Sequence, residues 1–347
     1  FLKYFDHHNT IVDYNFDSGT PFFEDLYSQN IEKLLGKPRK NQEKINQFHM
    51  NLAASVQKVF EEIALKKINY LQKKTNSKII CISGGCAFNS VFNGKIKKNS
   101  NFDNVYSSPN VGDAGGALGA ALYVAKKFNI NINNTKSPYI GTAYTNEYIE
   151  KNIVKKNFNT SFFKQQFFSN RDELNEFVSR KIADKCIVGW FQDRMEWGPR
   201  ALGNRSILGD PRVENMRELL NLKIKRREEF RPFAPSVLEE KSKEYFEIDE
   251  QCEYMEKVFR AKKGVEKIIP AVVHVDQTSR VQTVSQKTNI KFYSLIKSFG
   301  DKTGVPILLN TSLNVNEPIC ENPENAMEIF TKTLMEVMVI QDWVFYK

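Results

Sequence analysis

The chain has 347 residues, 41% apolar and 26% charged, with 50 Lys and Arg against 41 Asp and Glu for a formal net charge of +9. That composition is ordinary for a globular protein, the length favours two domains over one, and no apolar run approaches the ~20 residues that span a bilayer. Lysines and glutamates are interleaved over most of the chain, so the positive excess reads as solvated helix faces and a nucleic-acid partner is disfavoured; the dense patch at residues 223–231 is the exception. Five cysteines, Cys81, Cys86, Cys186, Cys252 and Cys320, include no CxxC pair. Neither a structural zinc site nor a disulfide framework is expected, and a reducing cytoplasm is the expected compartment. The chain opens on Phe1 rather than Met and without a signal peptide, so its start reads as cut.

Residues 1–40 are polar and aromatic with little periodicity. Over residues 45–74 the apolar side chains Phe48, Leu52, Val56, Val59, Ile63 and Leu71 recur at helical spacing and predict a long amphipathic helix. Residues 79–82 read as a buried strand, 87–96 as a helix entered through Gly84-Gly85, 105–107 as a short strand and 115–127 as a helix of small residues. Strand, glycine turn, helix, repeated, predicts an α/β arrangement with a parallel sheet. A polar break at 131–150, with Ser137-Pro138-Tyr139 as linker entry, leads to a second domain. Helices are expected at 172–183, 213–222, 291–299 and 324–331. Extended segments are expected at 186–191, 233–238, 268–273, 307–309 and 337–340. No internal repeat or low-complexity tract is evident.

Glycines between a strand and a helix let a ligand approach the backbone, and the helix N-terminus then offers free N–H groups to phosphate. Gly84-Gly85 and Gly115-Gly116 are two such turns about 30 residues apart, which favours one shared nucleotide cleft at the strand carboxyl ends over simple close packing. Asn89 either contacts that nucleotide or caps locally. Asp113, at the tip of the second turn, either caps the helix that follows or ligates a divalent cation beside the phosphates.

Arg200, Arg205, Lys225, Arg227 and Arg231 lie close in sequence among prolines and short turns. Such a cluster repels itself unless an anion occupies it, and arginine suits bidentate capture of phosphate or carboxylate. Glu228 and Glu229 offer the alternative of partial neutralisation. Asn310-Thr311-Ser312-Leu313-Asn314 follows a buried run and is placed either to bind a ligand or to form an Asx-turn. His7 and His8 are adjacent and do not form a helical metal pair, and His49 reads as a boundary residue. His274 is equally a functional or a structural histidine.

The blocks Ser83-Gly84-Gly85-Cys86-Ala87-Phe88-Asn89, Gly112-Asp113-Ala114-Gly115-Gly116, Gly198-Pro199-Arg200-Ala201-Leu202-Gly203-Asn204-Arg205-Ser206-Ile207, Phe230-Arg231-Pro232-Phe233-Ala234-Pro235 and Leu309-Asn310-Thr311-Ser312 resemble, in order, those of the O-carbamoyltransferases of nodulation-factor and antibiotic-tailoring type. The resemblance implies an α/β protein of two modules. Residues 1–136 would be the C-terminal part of an actin-like (sugar kinase/Hsp70-type) nucleotide- and metal-binding transfer domain. Residues 137–347 would be a carbamoyl-adenylate-forming domain similar to the threonylcarbamoyl-adenylate-forming fold.

It also implies carbamoyl phosphate and a small-molecule hydroxyl acceptor as partners, with ATP, Mg2+ and Fe2+ or another divalent transition metal as cofactors. Arg200, Lys225, Arg231, Arg280, Ser312 and Asn314 would form the catalytic anion-binding set. Gly84, Gly85, Asn89, Gly115, Gly116 and Asn310 would bind the nucleotide, and Asp113 the metal. Two departures stand out. The family's first actin-like lobe, with its metal-binding histidine pair, has no counterpart here and would come from a preceding segment or a partner chain. A glycine usual after Asn316 is also absent, leaving the loop 314–318 one residue short. A tRNA threonylcarbamoylation-related enzyme and a catalytically incomplete nucleotide-binding or scaffold protein are the alternative readings.

Overall fold

The structure is a computed structural model describing residues 14–17, 20–23, 29–40, 43–132, 137–156 and 163–347. The chain divides into two compact units, residues 1–63 and 64–347. In the first, strands β1 (Tyr14–Asp17) and β2 (Thr20–Phe23) pair antiparallel, and helix α1 (Gln29–Leu35) follows. These elements lie where the sequence shows little periodicity. Helix α2 (Gln47–Thr75) matches the apolar spacing, yet Phe48, Val56 and Leu71 of its stripe remain exposed.

In the second unit, β3 (Ile79–Ile82) and β4 (Asn104–Ser107) form a two-stranded parallel sheet, and helices α3 (Ser90–Asn99) and α4 (Gly115–Lys127) follow the respective turns. The strand expected to be buried is so only at Ile80; Ile79 and Cys81 are exposed. The helix expected from residue 87 starts later. Residues Gly85–Phe88 form one 3-10 turn, and Asn89 then caps α3 by accepting from the Phe92 amide at 3.0 Å.

After α5 (Asn146–Ile149) come β5 (Lys164–Phe167), α6 (Arg171–Ala183), β6 (Val188–Phe191), β7 (Arg205–Gly209), α7 (Met216–Leu219), β8 (Ala234–Leu238), α8 (Ser242–Tyr245), β9 (Phe259–Arg260), α9 (Val265–Ile268), β10 (Thr278–Ser279), β11 (Gln282–Val284), α10 (Ile290–Thr303), β12 (Ile307–Ser312), α11 (Pro323–Lys332), β13 (Val337–Ile340) and β14 (Trp343–Tyr346). Eight strands make one mixed sheet in the order β11-β8-β12-β7-β6-β13-β14-β5. β12 lies between β7 and β8, antiparallel to both.

Alternate residues of these strands enter different cores. Leu308, Val337, Val339, Val188 and Trp190 pack with Leu174, Val178, Phe292 and Ile296 of α6 and α10. Ile307, Leu309, Met338, Ile340 and Phe191 pack on the other side with Leu220, Ile224, Met327 and Phe330. The sheet is thus covered on both faces, as a mixed α/β layer requires.

The strand expected at 268–273 is absent. Its apolar side chains Ile269, Ala271, Val272 and Val273 are buried, but the backbone turns, with the Ile269 amide donating to Val265 and the Val272 amide to Ile269. An apolar run signals burial, and here burial is met by irregular chain. The helix expected at 213–222 is α7 continued as a π-helix, Leu220–Lys225, and ended by Arg226 in the left-handed region (φ 47°). No helix among the described residues is long and apolar enough to cross a membrane.

Candidate anion-binding site

Three connections and strand β12 deliver cations and polar groups to one cavity of about 360 Å³. Arg200 comes from the loop before β7, Arg227 and Arg231 from the segment before β8, Arg280 from the link between β10 and β11, and Asn310 and Ser312 from β12. The Arg200 loop is shaped by buried Glu196, whose Oε1 accepts from the amides of Leu202 (2.6 Å), Asn204 (3.3 Å) and Arg205 (3.3 Å). A further wall belongs to the glycine-turn module: Ser90 and Val91, opening α3, line the same cavity. They are held there by the Val258 amide donating to Ser90 O (3.1 Å) and by Asn93 Nδ2 donating to Glu256 O (2.9 Å).

The charge of this cavity is not balanced. Arg200 and Arg280 have no carboxylate partner among the described residues, and Arg280 Nε is buried without an acceptor. Burial, with Arg200 and Arg227 nearby, pushes Arg280 down to about 9. Burial likewise lowers Arg200, and burial with Arg231 lowers Arg227, which bonds Asn221 Oδ1 at 2.7 Å and lies over the Phe233 ring. Arg231 differs: it is half exposed and paired with Glu228 at 2.8 Å. His274 also lines the cavity, its Nδ1 3.2 Å from Thr278 Oγ1, and burial pulls it below the ordinary histidine value. Like charges held together in a desolvated cleft, with donors unspent, form a site awaiting an anion.

Lys225 stands behind that wall. Its Nζ donates to Ser312 O (2.5 Å), Ser312 Oγ (3.2 Å), Asn314 O (2.9 Å) and Asn314 Oδ1 (2.7 Å). Burial, and then Arg227, push its ammonium down to about 7. Four oxygens at these distances are best served by the protonated form, which has three donors and no acceptor. In this state Lys225, Ser312 and Asn314 form a strut that sets the end of β12. The short loop after Asn314 is closed by Glu317, which accepts from the Val315 amide (2.8 Å) and the Asn316 amide (3.0 Å). Burial opposes ionisation of Glu317, but these amides hold its carboxyl below its ordinary value.

The two glycine turns adjoin, the Gly84 amide donating to Val111 O at 2.7 Å. Gly84 has φ +90° and, like Gly85 and Gly116, open space where a Cβ would stand. Gly115 is a packing glycine, since a Cβ there would come within 2.2 Å of Asn110 O. Asn89 caps α3. Asp113 is exposed, and its side chain does not cap α4. No group of three or more His, Cys, Asp and Glu comes together among the described residues, so these residues do not by themselves fit a resident metal at Asp113. His7 and His8 lie outside them.

Arg205 is set apart from the other cations. It is fully buried, stacks on Phe191 with its guanidinium carbon 3.5 Å from the ring centroid, and its Nη1 and Nη2 donate to the carbonyls of Gln192, Asp193, Asn204 and Thr142, while its Nε, like that of Arg280, is buried without an acceptor. Ser90 was not marked by sequence; its only signal is its place after a capping asparagine.

The fold and the site together are those of an α/β protein with a carboxylate-poor arginine cavity beside a glycine-turn module. Residues 179–347 match the carbamoyltransferase C-terminus and residues 18–122 the carbamoyltransferase N-terminus, and the chain belongs to this family of transferases. An uncharacterized protein of Synechocystis is 39% identical over 93% of this chain and 56% of its own length. Nodulation protein NolO of Bradyrhizobium diazoefficiens is 36% identical over 87% of this chain and 55% of its own. The 3'-hydroxymethylcephem-O-carbamoyltransferase of Amycolatopsis lactamdurans is 33% identical over 68% of this chain and 42% of its own. The chain thus spans about half the length of the curated relatives it matches.

Proposed function

We propose that this chain activates a carbamoyl group with ATP and, together with the remainder of the enzyme, passes it to a hydroxyl of a sugar or natural product. The observation that carries the reading is the convergence of Arg200, Arg227 and Arg280, without a carboxylate partner for Arg200 or Arg280, in a cavity that Ser312 and Asn310 also line. The site would neutralise carbamoyl phosphate so that its carbamate can meet the α-phosphate of ATP. The bonds balance as follows. Water releases phosphate from carbamoyl phosphate, a carbamate oxygen attacks the α-phosphorus, and pyrophosphate leaves, giving carbamoyl-adenylate. The hydroxyl acceptor then takes the carbamoyl group and AMP departs. ATP enters as its Mg2+ complex. The arginines bind and orient, the Lys225 strut fixes Ser312, and the enclosing walls limit access of water to a labile adenylate. The relatives' names, including that of an O-carbamoyltransferase, support a hydroxyl acceptor. The enclosed position of the arginines speaks against a nucleic-acid surface.

The test is release of pyrophosphate from ATP by the full chain with and without carbamoyl phosphate. Release that depends on carbamoyl phosphate is expected. None at millimolar substrates would remove the adenylate reading.

A further inference from the structure

We infer that Glu196 is a positioning residue for Arg200: its carboxylate gathers the amides that follow Arg200 and so fixes the loop that presents this guanidinium to the anion. The inference rests on the proposed anion site and deepens it. Arg200 lines the cavity and has no carboxylate partner among the described residues, so its place there depends on the backbone that carries it. Gly198 and Gly203, on either side of it, have φ of 139° and 102°, the region that favours glycine. Four consecutive amides, at residues 202–205, donate to side chains. Those of Leu202 (2.6 Å), Asn204 (3.3 Å) and Arg205 (3.3 Å) meet on one oxygen, Glu196 Oε1, and that of Gly203 goes to Ser206 Oγ (3.1 Å).

The carbonyls of the same loop are held by several residues. Ala201 O accepts from Asn310 Nδ2 (3.2 Å), and Leu202 O from Tyr139 Oη (2.9 Å) and Gln282 Nε2 (2.9 Å). The amides depend chiefly on one. N–H groups converging on a single oxygen form a backbone anion nest, here filled by the chain's own carboxylate. Glu196 is 2% exposed, so little water is at hand to replace it. The competing role for this carboxylate is counter-charge to buried Arg205, which it also stabilises through space. The two roles differ in what they need: the loop needs an acceptor oxygen at the right reach, Arg205 needs a negative charge.

The experiment measures binding of carbamoyl phosphate and of inorganic phosphate to the full chain by calorimetry. Glu196→Gln keeps an acceptor oxygen at the same reach. Oε2 is buried without a donor among the described residues, so an amide nitrogen there breaks no hydrogen bond, and burial already lifts the Glu196 carboxyl above its ordinary value against the pull of the amides. Glu196→Asp keeps the charge and withdraws the oxygen by one methylene. Glu196→Gln should bind both anions within about threefold of wild type and Glu196→Asp at least ~10-fold more weakly, because a small misplacement at a pre-formed site is costly. In an Arg200→Ala background, Glu196→Asp should add less than about twofold, since the two residues act through one contact. Glu196→Asp binding as wild type does, or Glu196→Gln losing as much as Glu196→Asp, would overturn the inference. So would a loss from Glu196→Asp that is undiminished without Arg200. If Glu196→Asp does not fold, hydrogen exchange of wild type decides. The Leu202, Asn204 and Arg205 amides should be as protected without phosphate as with it; protection that appears only with phosphate would mean that the ligand sets the loop. If Arg200→Ala alone binds both anions as wild type does, the Arg200 limb of the anion site falls and takes the inference with it. That pattern appears with Glu196 intact and is distinct from a failure at Glu196.

Discussion

Arg280 and Arg231 line one cavity but live in different electrostatic surroundings. Arg280 is enclosed with an unspent Nε, whereas Arg231 is half exposed and already paired with Glu228. Arg280→Ala should therefore lower kcat/KM for carbamoyl phosphate by ~10²–10³, as for other groups that face developing or transferring charge. Arg231→Ala should cost less than about tenfold, because an exposed ion pair is screened by water. Pyrophosphate-release kinetics of the two variants would decide between them; a larger loss at Arg231 would mean that the cavity closes over it. Lys225 makes a separate prediction. Its folded value, about 7, lies below the ordinary lysine value of 10.5, so burying it costs stability, with the full cost below pH 7 and less as pH rises toward 10.5. The melting temperature of wild type minus that of Lys225→Met should rise between pH 7 and 9. A flat difference would mean that the four oxygens hold the proton throughout. The arginines were legible in sequence because their motif is local, but the division of labour between Arg205 and Arg280 was not. Only the fold shows that Arg205 spends both Nη groups on carbonyls while Arg280 donates to no side chain or carbonyl among the described residues.

At the scale of elements, two neighbouring glycines of α4 should behave oppositely. Gly115→Ala drives a Cβ against Asn110 O and should destabilise by about 1–3 kcal/mol. Gly116→Ala meets nothing and should be neutral or stabilise by up to about 1 kcal/mol through helix propensity. Thermal melting of both checks this, and equal effects would show that the turn relaxes. Helix α4 could be read to the residue from its small-residue run, and α10, α11, β8 and β13 from period and apolar runs. β7 was hidden inside the Arg200 motif, where Arg205 and Ser206 look polar yet are fully buried, so hydropathy gave no strand signal. Residues 268–273 misled in the other direction, since a buried turn and a buried strand carry the same apolar composition.

Across the whole molecule, the cavity unites Ser90 of the glycine-turn module with residues from 200 to 312, so ligand and fold share one account. A Cβ on Gly198, two residues before Arg200, would lie 2.7 Å from Pro109 O, so the chain leading into the second glycine turn packs directly on the Arg200 loop. β12 joins a sheet whose neighbours, β7 and β8, were made about a hundred and about seventy residues earlier in the chain. Until that insertion, Arg200, which precedes β7, need not be close to Arg227 and Arg280, which flank the directly paired strands β8 and β11; once it occurs they must be. The cationic cluster is therefore also a kinetic matter. The long-range pairing that joins the two halves of the sheet is intrinsically slow to find, and it is the event that brings Arg200 against the other two guanidiniums. An anion that screens them should ease that event and then hold the product. Phosphate, compared with chloride at equal ionic strength, should speed refolding of wild type and slow its unfolding, and should do neither for Arg280→Ala. Refolding rates indifferent to the choice of anion would mean that the arginines converge only after the barrier has been crossed.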